Sequence, residues 1–310
     1  MRSLFRSAPK GLHATPRVGL YAARRTALIL LCAALGGAAY AASPVVVVSA
    51  ENFYGSLVQQ IGGDRVSVTS ILSDPSVDPH QYESTVDDAK AVAAADLVVE
   101  NGGGYDEWMD RLLSASPRSS RVVIKGFDAA VRKLPDNVHV WYDVDNMQII
   151  SDAIAQGLRS LDPSGASVYE ANARELRRSL SQLKERLVVA GAHLAGTPVG
   201  LTESLFQYQV TTLRLTVLTP FAFQKAIGEG TDPPADAAVQ TENQIRQHKI
   251  RLLIYNEQTP SPVVTALEEE ASAAGIPSVG VTETMPAGLT YQTWMLGQVD
   301  RLTAALSGAP

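Results

Sequence analysis

The sequence predicts an α/β protein of two βα lobes, joined by one long helix and separated by a cleft. Three observations predict it. Short β-branched runs alternate with helix-like segments from Pro44 to Ile124, the pattern of βα units on a parallel sheet. A polar, charged stretch from Asp162 to about Ala195, roughly 30 residues and ~45 Å long as a helix, then follows without a strand. After it, strand-like and helix-like segments alternate again. The 310 residues suffice for about two domains, each with its own core.

The first 41 residues stand apart from that pattern. They carry Arg2, Arg6, Lys10, Arg17, Arg24 and Arg25 with no acid, then an apolar run from Ala27 to Ala39. Ala39-Tyr40-Ala41 supplies a small-x-small cleavage pattern, so the segment reads as a secretory signal peptide with a long basic region. An Arg-rich, acid-free leader also fits a mitochondrial transit peptide, but the compact apolar run favours secretion, and it is too short to span a membrane. Without its six basic residues, 20 remain against 32 acids, a formal net charge of −12. A chain this acidic is a poor candidate for nucleic-acid binding. The one cysteine, Cys32, lies inside the apolar run, which leaves only His, Asp and Glu to hold a metal in the mature chain. Ile29-Leu30-Leu31 precede it where a lipoprotein would have a small residue. A soluble periplasmic protein is expected, with a leader over 1–41, an N-terminal lobe over 42–160, a linking helix over 161–196 and a C-terminal lobe over 197–310.

Taken in order, Pro44–Ala50 is a continuous apolar run, the mark of a strand buried on both faces. A helix over Asn52–Ile61 stops at Gly62-Gly63. Strand Val66–Leu72, helix Val86–Ala95 and strand Leu97–Glu100 follow. Asn101–Gly104 makes a turn, a helix runs through Trp108–Leu113, and Arg121–Ile124 is the next strand. The glycines at 102–104 fit neither phosphate-loop pattern and are turn residues. Asp162-Pro163 is a strong helix-start signal for the long helix. The second lobe offers strand Pro198–Thr202, a β-rich stretch at Thr211–Leu218, strand Ile250–Asn256, helix Val263–Ala274 and strand Pro277–Val281.

Candidate functional residues fall at strand ends or in loops. Asp74–Thr85 contains two Asp-Pro steps, and each proline fixes its own φ and pushes its predecessor out of the helical region. His80 is therefore carried on stiff backbone. His139 lies in Asn137-Val138-His139-Val140-Trp141, Glu203 directly follows Pro198–Thr202, and Glu283 follows Pro277–Val281. Two come from each lobe, as a ligand in an interlobe cleft requires, and ligands of open α/β sheets sit beyond the carboxyl ends of the strands. Each has a plainer reading taken alone: a solvated loop histidine, a histidine packed on Trp141, or a glutamate capping a helix. His193 and His248 sit among polar residues and are assigned to the surface.

Residues 44–308 resemble the metal-specific solute-binding proteins of ATP-binding-cassette importers, those for zinc, manganese and iron(II). D-P-H-x-Y-E at Asp78–Glu83 is the most specific motif. N-x-H-x-W at Asn137–Trp141 matches the second, with Val138 and Tyr142 replacing the usual proline and leucine. E-x-x-F-x-Y at Glu203–Tyr208 matches the third. Glu283 stands where the family usually has an aspartate. The resemblance implies two α/β lobes joined by a long helix, with a metal cleft between them formed by His80, His139, Glu203 and Glu283. It also implies a membrane permease as partner, and a monomer is expected.

Two neutral imidazoles and two carboxylates carry −2, matching one divalent cation, and an all-N/O set suits Zn²⁺, Mn²⁺ or Fe²⁺. Among relatives of this kind a glutamate at the third position is typical of manganese or iron importers, so Mn²⁺ is favoured as the transported ligand. The chain also lacks the His-rich loop of many zinc members. A zinc hydrolase is the alternative, but neither H-E-x-x-H nor G-x-S-x-G is present. A metal-free adhesin or binding protein on the same fold is the other. No enzymatic activity is expected.

Overall fold

The computed structural model describes residues 43–308. The leader, its cleavage pattern and Cys32 lie outside the described residues. The first half runs β1 (Val45–Glu51), α1 (Asn52–Gly62), β2 (Val66–Leu72), α2 (Val86–Ala94), β3 (Leu97–Glu100), α3 (Glu107–Ala115), β4 (Val122–Lys125), α4 (Gly126–Ala129) and α5 (Val144–Leu161). The long helix α6 (Ala166–Leu194) follows. The second half runs β5 (Pro198–Leu201), α7 (Gln207–Leu213), β6 (Thr216–Val217), α8 (Phe221–Gly228), α9 (Ala235–Arg246), β7 (Leu252–Asn256), α10 (Pro262–Ala273), β8 (Ser278–Val281) and α11 (Tyr291–Ser307).

Each half builds one four-stranded parallel sheet, β2-β1-β3-β4 and β6-β5-β7-β8. The two strand orders are the same pattern repeated. In both, the first strand is central and the chain reverses direction of growth beside it, which opens a crevice at the carboxyl ends. Central strands are apolar because helices cover both faces: Val47, Val48, Leu97, Val98 and Val99 are fully buried.

Helix α6 serves as the spine. Tyr169, Leu176, Leu180, Leu183, Leu187 and Leu194 are buried at helical spacing, while its charged face remains in solvent. The buried stripe packs against α1 and α5 of the first half and against α7 and α11 of the second.

Several local expectations need correction. Asp162 does not cap α6 directly. Its carboxylate accepts from the Gly165 amide and closes a one-turn 3-10 segment, Pro163–Gly165, and also pairs with Arg65 at 2.6 Å. Thr211–Leu218 is not a strand through its length. Thr211–Leu213 close α7, Arg214 ends it at φ 55°, and only Thr216–Val217 pair with β5. Packing of the buried Tyr208 and Leu213 outweighs the β propensity of the threonines. Helices α4, α5, α7, α8, α9 and α11 are not predicted by the sequence reading. The apolar signal of α5 is nevertheless present, since Val144, Met147, Ile150, Ile154 and Leu158 recur every three or four residues and are buried.

Candidate metal centre

His80 sits on a 3-10 turn, Pro79–Gln81, that β2 delivers to the cleft. Asp78 caps that turn: its Oδ1 accepts from the His80 amide at 2.9 Å and its Oδ2 from Gln81 Nε2 at 2.7 Å. His139 precedes another 3-10 turn, Val140–Tyr142. Asn137 Oδ1 accepts from the His139 amide at 3.0 Å and lies 2.8 Å from its Nδ1. That contact engages Nδ1 and turns Nε2 toward the cleft. Glu203 leaves the end of β5, and Glu283 leaves the end of β8.

The fold brings these four side chains together. One ligand atom from each lies within 4.8 Å of the others. His80 Nε2 is 3.4 Å from Glu283 Oε2 and 4.0 Å from Glu203 Oε1. His139 Nε2 is 3.4 Å from Glu203 Oε1 and 3.9 Å from Glu283 Oε2. Donors around a tetrahedral zinc with bonds of about 2.0 Å sit about 3.3 Å apart, so small inward shifts suffice. His139, Glu203 and Glu283 are buried, whereas 27% of the His80 side chain is exposed. A cavity of about 380 Å³ bordered by His80, Tyr105, His139 and Lys225 leads to solvent on that side.

Electrostatics favour opposite charges here. Burial alone would push His80 down, but Glu283 and then Glu203 outweigh it and lift the imidazole to about 9. Burial likewise opposes ionisation of Glu283, yet His80 and His139 hold its carboxyl well below the usual range. His139 Nε2 and Glu203 Oε1 are buried with no hydrogen-bond partner among the described residues. Buried polar atoms are normally satisfied, so a convergent unpartnered pair is chemistry that a cation would complete.

A supporting shell holds the carboxylates. Tyr105 Oη donates to Glu283 Oε2 at 2.7 Å. Asn256 Nδ2 donates to Glu203 Oε2 at 2.7 Å and to Glu283 Oε1 at 2.6 Å, and Thr259 Oγ1 donates to Glu203 Oε2 at 3.0 Å. Tyr105 is positioned by the turn before it, where Gly102, Gly103 and Gly104 all have positive φ that other residues resist. Asp106 fastens the turn by accepting from the Asn101 and Gly102 amides at 2.6 and 2.7 Å. The two halves are also stitched at the site: Asn137 Nδ2 donates to the Ser204 carbonyl at 2.7 Å, and Tyr208 Oη donates to the Asn137 carbonyl at 3.1 Å.

A family model described as ZnuA, zinc-uptake complex component A, periplasmic, matches residues 46–305. The chain belongs to this family. Over 142 residues it is 33% identical to the manganese-binding lipoprotein MntA of Halalkalibacterium halodurans, covering 45% of this chain and 47% of that one. Over 171 residues it is 28% identical to the manganese ABC transporter substrate-binding lipoprotein PsaA of Streptococcus mitis, covering 50% and 55%. The chain thus spans about half the length of these relatives. The fold is similar to that of the periplasmic zinc binding protein TroA from Treponema pallidum, with a TM-score of 0.75, 21% identity, 86% of this chain and all of that one covered. The predicted α/β class with two parallel-sheet lobes is that of the family.

All four residues singled out in the sequence meet at one point, whereas His193 and His248 lie exposed and elsewhere. Sequence reading did not single out Tyr105, Asn256 or Thr259. Asn256 is the last residue of a predicted strand, but that position alone does not show that it reaches two carboxylates from neighbouring strands. Tyr105 carried no comparable signal beyond the glycine turn before it.

Proposed function

We propose that this family member is the extracytoplasmic carrier of a divalent transition metal, delivering it to the membrane permease of an ATP-binding-cassette importer. The observation that carries the reading is the convergence of His80, His139, Glu203 and Glu283 from both lobes, with His139 Nε2 and Glu203 Oε1 buried and unpartnered among the described residues. The four side chains are the metal ligands. Two imidazoles and two carboxylates neutralise one divalent ion, and hard oxygens beside borderline nitrogens suit Mn²⁺, Zn²⁺ or Fe²⁺. The manganese named for the relatives MntA and PsaA supports Mn²⁺, and the zinc of the family description supports Zn²⁺.

Delivery requires release, and the geometry supports it. His80 alone among the four is substantially exposed, so it is the ligand that a shift of its loop withdraws first. The protein acts as a soluble monomer once residues 1–41 are removed. Its binding role follows from the family and makes the hydrolase and adhesin readings unnecessary.

Metal analysis of protein equilibrated by dialysis against Mn²⁺ or Zn²⁺ tests the reading. One ion per chain is expected. A chain that retains neither ion at micromolar concentration contradicts it.

A further inference from the structure

We propose that Asn256 limits each metal-site carboxylate to one ligating oxygen and thereby sets the zinc-to-manganese selectivity, an assignment that rests on the carrier reading above. By residue type, Glu203 and Glu283 could each bind a cation through two oxygens, expanding the site beyond four ligands. The hydrogen bonds divide those oxygens into two sets. Glu203 Oε1 and Glu283 Oε2 face the histidines, at 3.4 Å from His139 Nε2 and His80 Nε2 respectively. The other two, Glu203 Oε2 and Glu283 Oε1, are both engaged by the single Asn256 amide at 2.7 and 2.6 Å.

The amide has one orientation available. Its Oδ1 accepts from the Gln258 backbone amide at 3.0 Å, which points the NH₂ group at the carboxylates. A flipped amide would set an oxygen against two carboxylates. Both N–H groups are spent, one on each glutamate, and Asn256 itself is 3% exposed. Such bonds to an ionised acceptor in a buried site are the strong kind. Thr259 adds a second donor to the outer oxygen of Glu203. Rotating either carboxylate to present both oxygens therefore breaks a charge-assisted bond and strands a buried donor.

What remains for a cation is two imidazole nitrogens and two single oxygens. A four-donor set of this kind meets the tetrahedral preference of zinc, whereas manganese favours octahedral, oxygen-rich surroundings. The Tyr105 contact to Glu283 falls on the inner oxygen and leaves that division unchanged. Asn256 thus counteracts the manganese preference that two glutamates bring, and its removal shifts the balance toward manganese.

The test compares wild type with Asn256→Ala and Asn256→Leu, the latter filling the volume without donors. Zn²⁺ and Mn²⁺ are each competed against a chelator of known affinity at one pH. The zinc-to-manganese affinity ratio is expected to fall at least tenfold in both variants. An equal loss for both metals shows a merely structural role and overturns the proposal. X-ray absorption of zinc-loaded wild type supplies a second readout that needs no variant to fold. Monodentate carboxylates in a four-coordinate shell are expected, and a bidentate carboxylate in wild type overturns the proposal. Wild type that binds neither metal overturns the carrier reading itself, which separates that failure from this one.

Discussion

Glu203 Oε1 lies 3.4 Å from His139 Nε2, although the two residues belong to different halves of the chain. Each atom is buried and lacks a hydrogen-bond partner among the described residues. Asn137 engages the other ring nitrogen, with its Oδ1 2.8 Å from His139 Nδ1, and so turns Nε2 toward Glu203. On the proposed reading a cation would complete this pair, and Asn256 and Tyr105 donate to the carboxylates beside it.

Tyr105 orients one of those carboxylates through its 2.7 Å bond to Glu283. Tyr105→Phe keeps the ring packing beside His80 and removes only that donor. Metal affinity is expected to fall about tenfold, the lower end of what supporting residues contribute around metal sites. The melting temperature of the metal-free protein should move little. Chelator competition that gives wild-type affinity for the variant would show that the bond does not tune Glu283.

Asn52 ties the two halves together beside the site. Its Nδ2 donates to the Met285 carbonyl at 2.6 Å and its Oδ1 accepts from the Met285 amide at 2.9 Å. Asn52→Ala leaves both backbone groups without that partner, at a cost of about 1–3 kcal/mol for each buried group left unpaired. A drop in melting temperature on the order of 5 °C is expected. Metal dissociation should quicken while the zinc-to-manganese ratio is unchanged, since no carboxylate oxygen is released. A changed ratio would contradict this division of roles.

A cluster of buried acids gives the stability a predictable pH dependence. Glu51 ends β1 fully buried, and the buried acids Asp106 and Glu100 oppose its ionisation. Burial first, then the charge of Asp106, raises Glu51 well above 4.5. The folded chain thus holds a proton that the unfolded chain releases, so stability falls as pH rises from the ordinary carboxylate value toward the raised one. Glu51→Gln carries no charge. Its melting temperature at pH 8 should exceed that of wild type by roughly 3–5 °C per pKa unit removed, with a shallower slope between pH 5 and 8. An identical slope in variant and wild type would rule out Glu51 as the group responsible.

How much of this was legible in the sequence follows from where each signal resides. The strands were plain because central parallel strands need apolar β-branched runs, and Val45–Glu51 and Val66–Leu72 supply them. His80 stood out through the stiff Asp-Pro turn, whose Asp78 caps the His80 amide, and His139 through the family-like N-x-H-x-W motif, whose Asn137 contacts the His139 ring. Helices α8 and α9 escaped because polar and small residues interrupt their buried faces, whereas α11 carries a readable apolar stripe of Tyr291, Trp294, Met295, Val299 and Leu302, broken only by Gln298. Asn256 escaped for another reason. Its role exists only once β5, β7 and β8 lie side by side, and no spacing within one segment encodes that juxtaposition.

The residue at position 203 bears on selectivity as well. Glu203→His lowers the ligand charge from −2 to −1, which weakens attraction for every divalent ion. It also replaces a hard oxygen with an imidazole that suits zinc better. The zinc-to-manganese affinity ratio should therefore rise even as both affinities fall. Competition of both metals in one buffer gives the ratio, and an unchanged or lower value would place the discrimination elsewhere.

The central claim is that one metal is held jointly by the two halves. Titration of Zn²⁺ and Mn²⁺ into wild type and His139→Ala, with the melting temperature of each metal-free protein recorded alongside, tests it most directly. His139 lies in a loop before a single 3-10 turn, so its loss should spare the fold. Wild type is expected to bind one ion per chain, and the variant to lose at least a hundredfold in affinity for both metals while its metal-free melting temperature stays within a few degrees. Wild-type affinity in a folded His139→Ala protein would contradict the account.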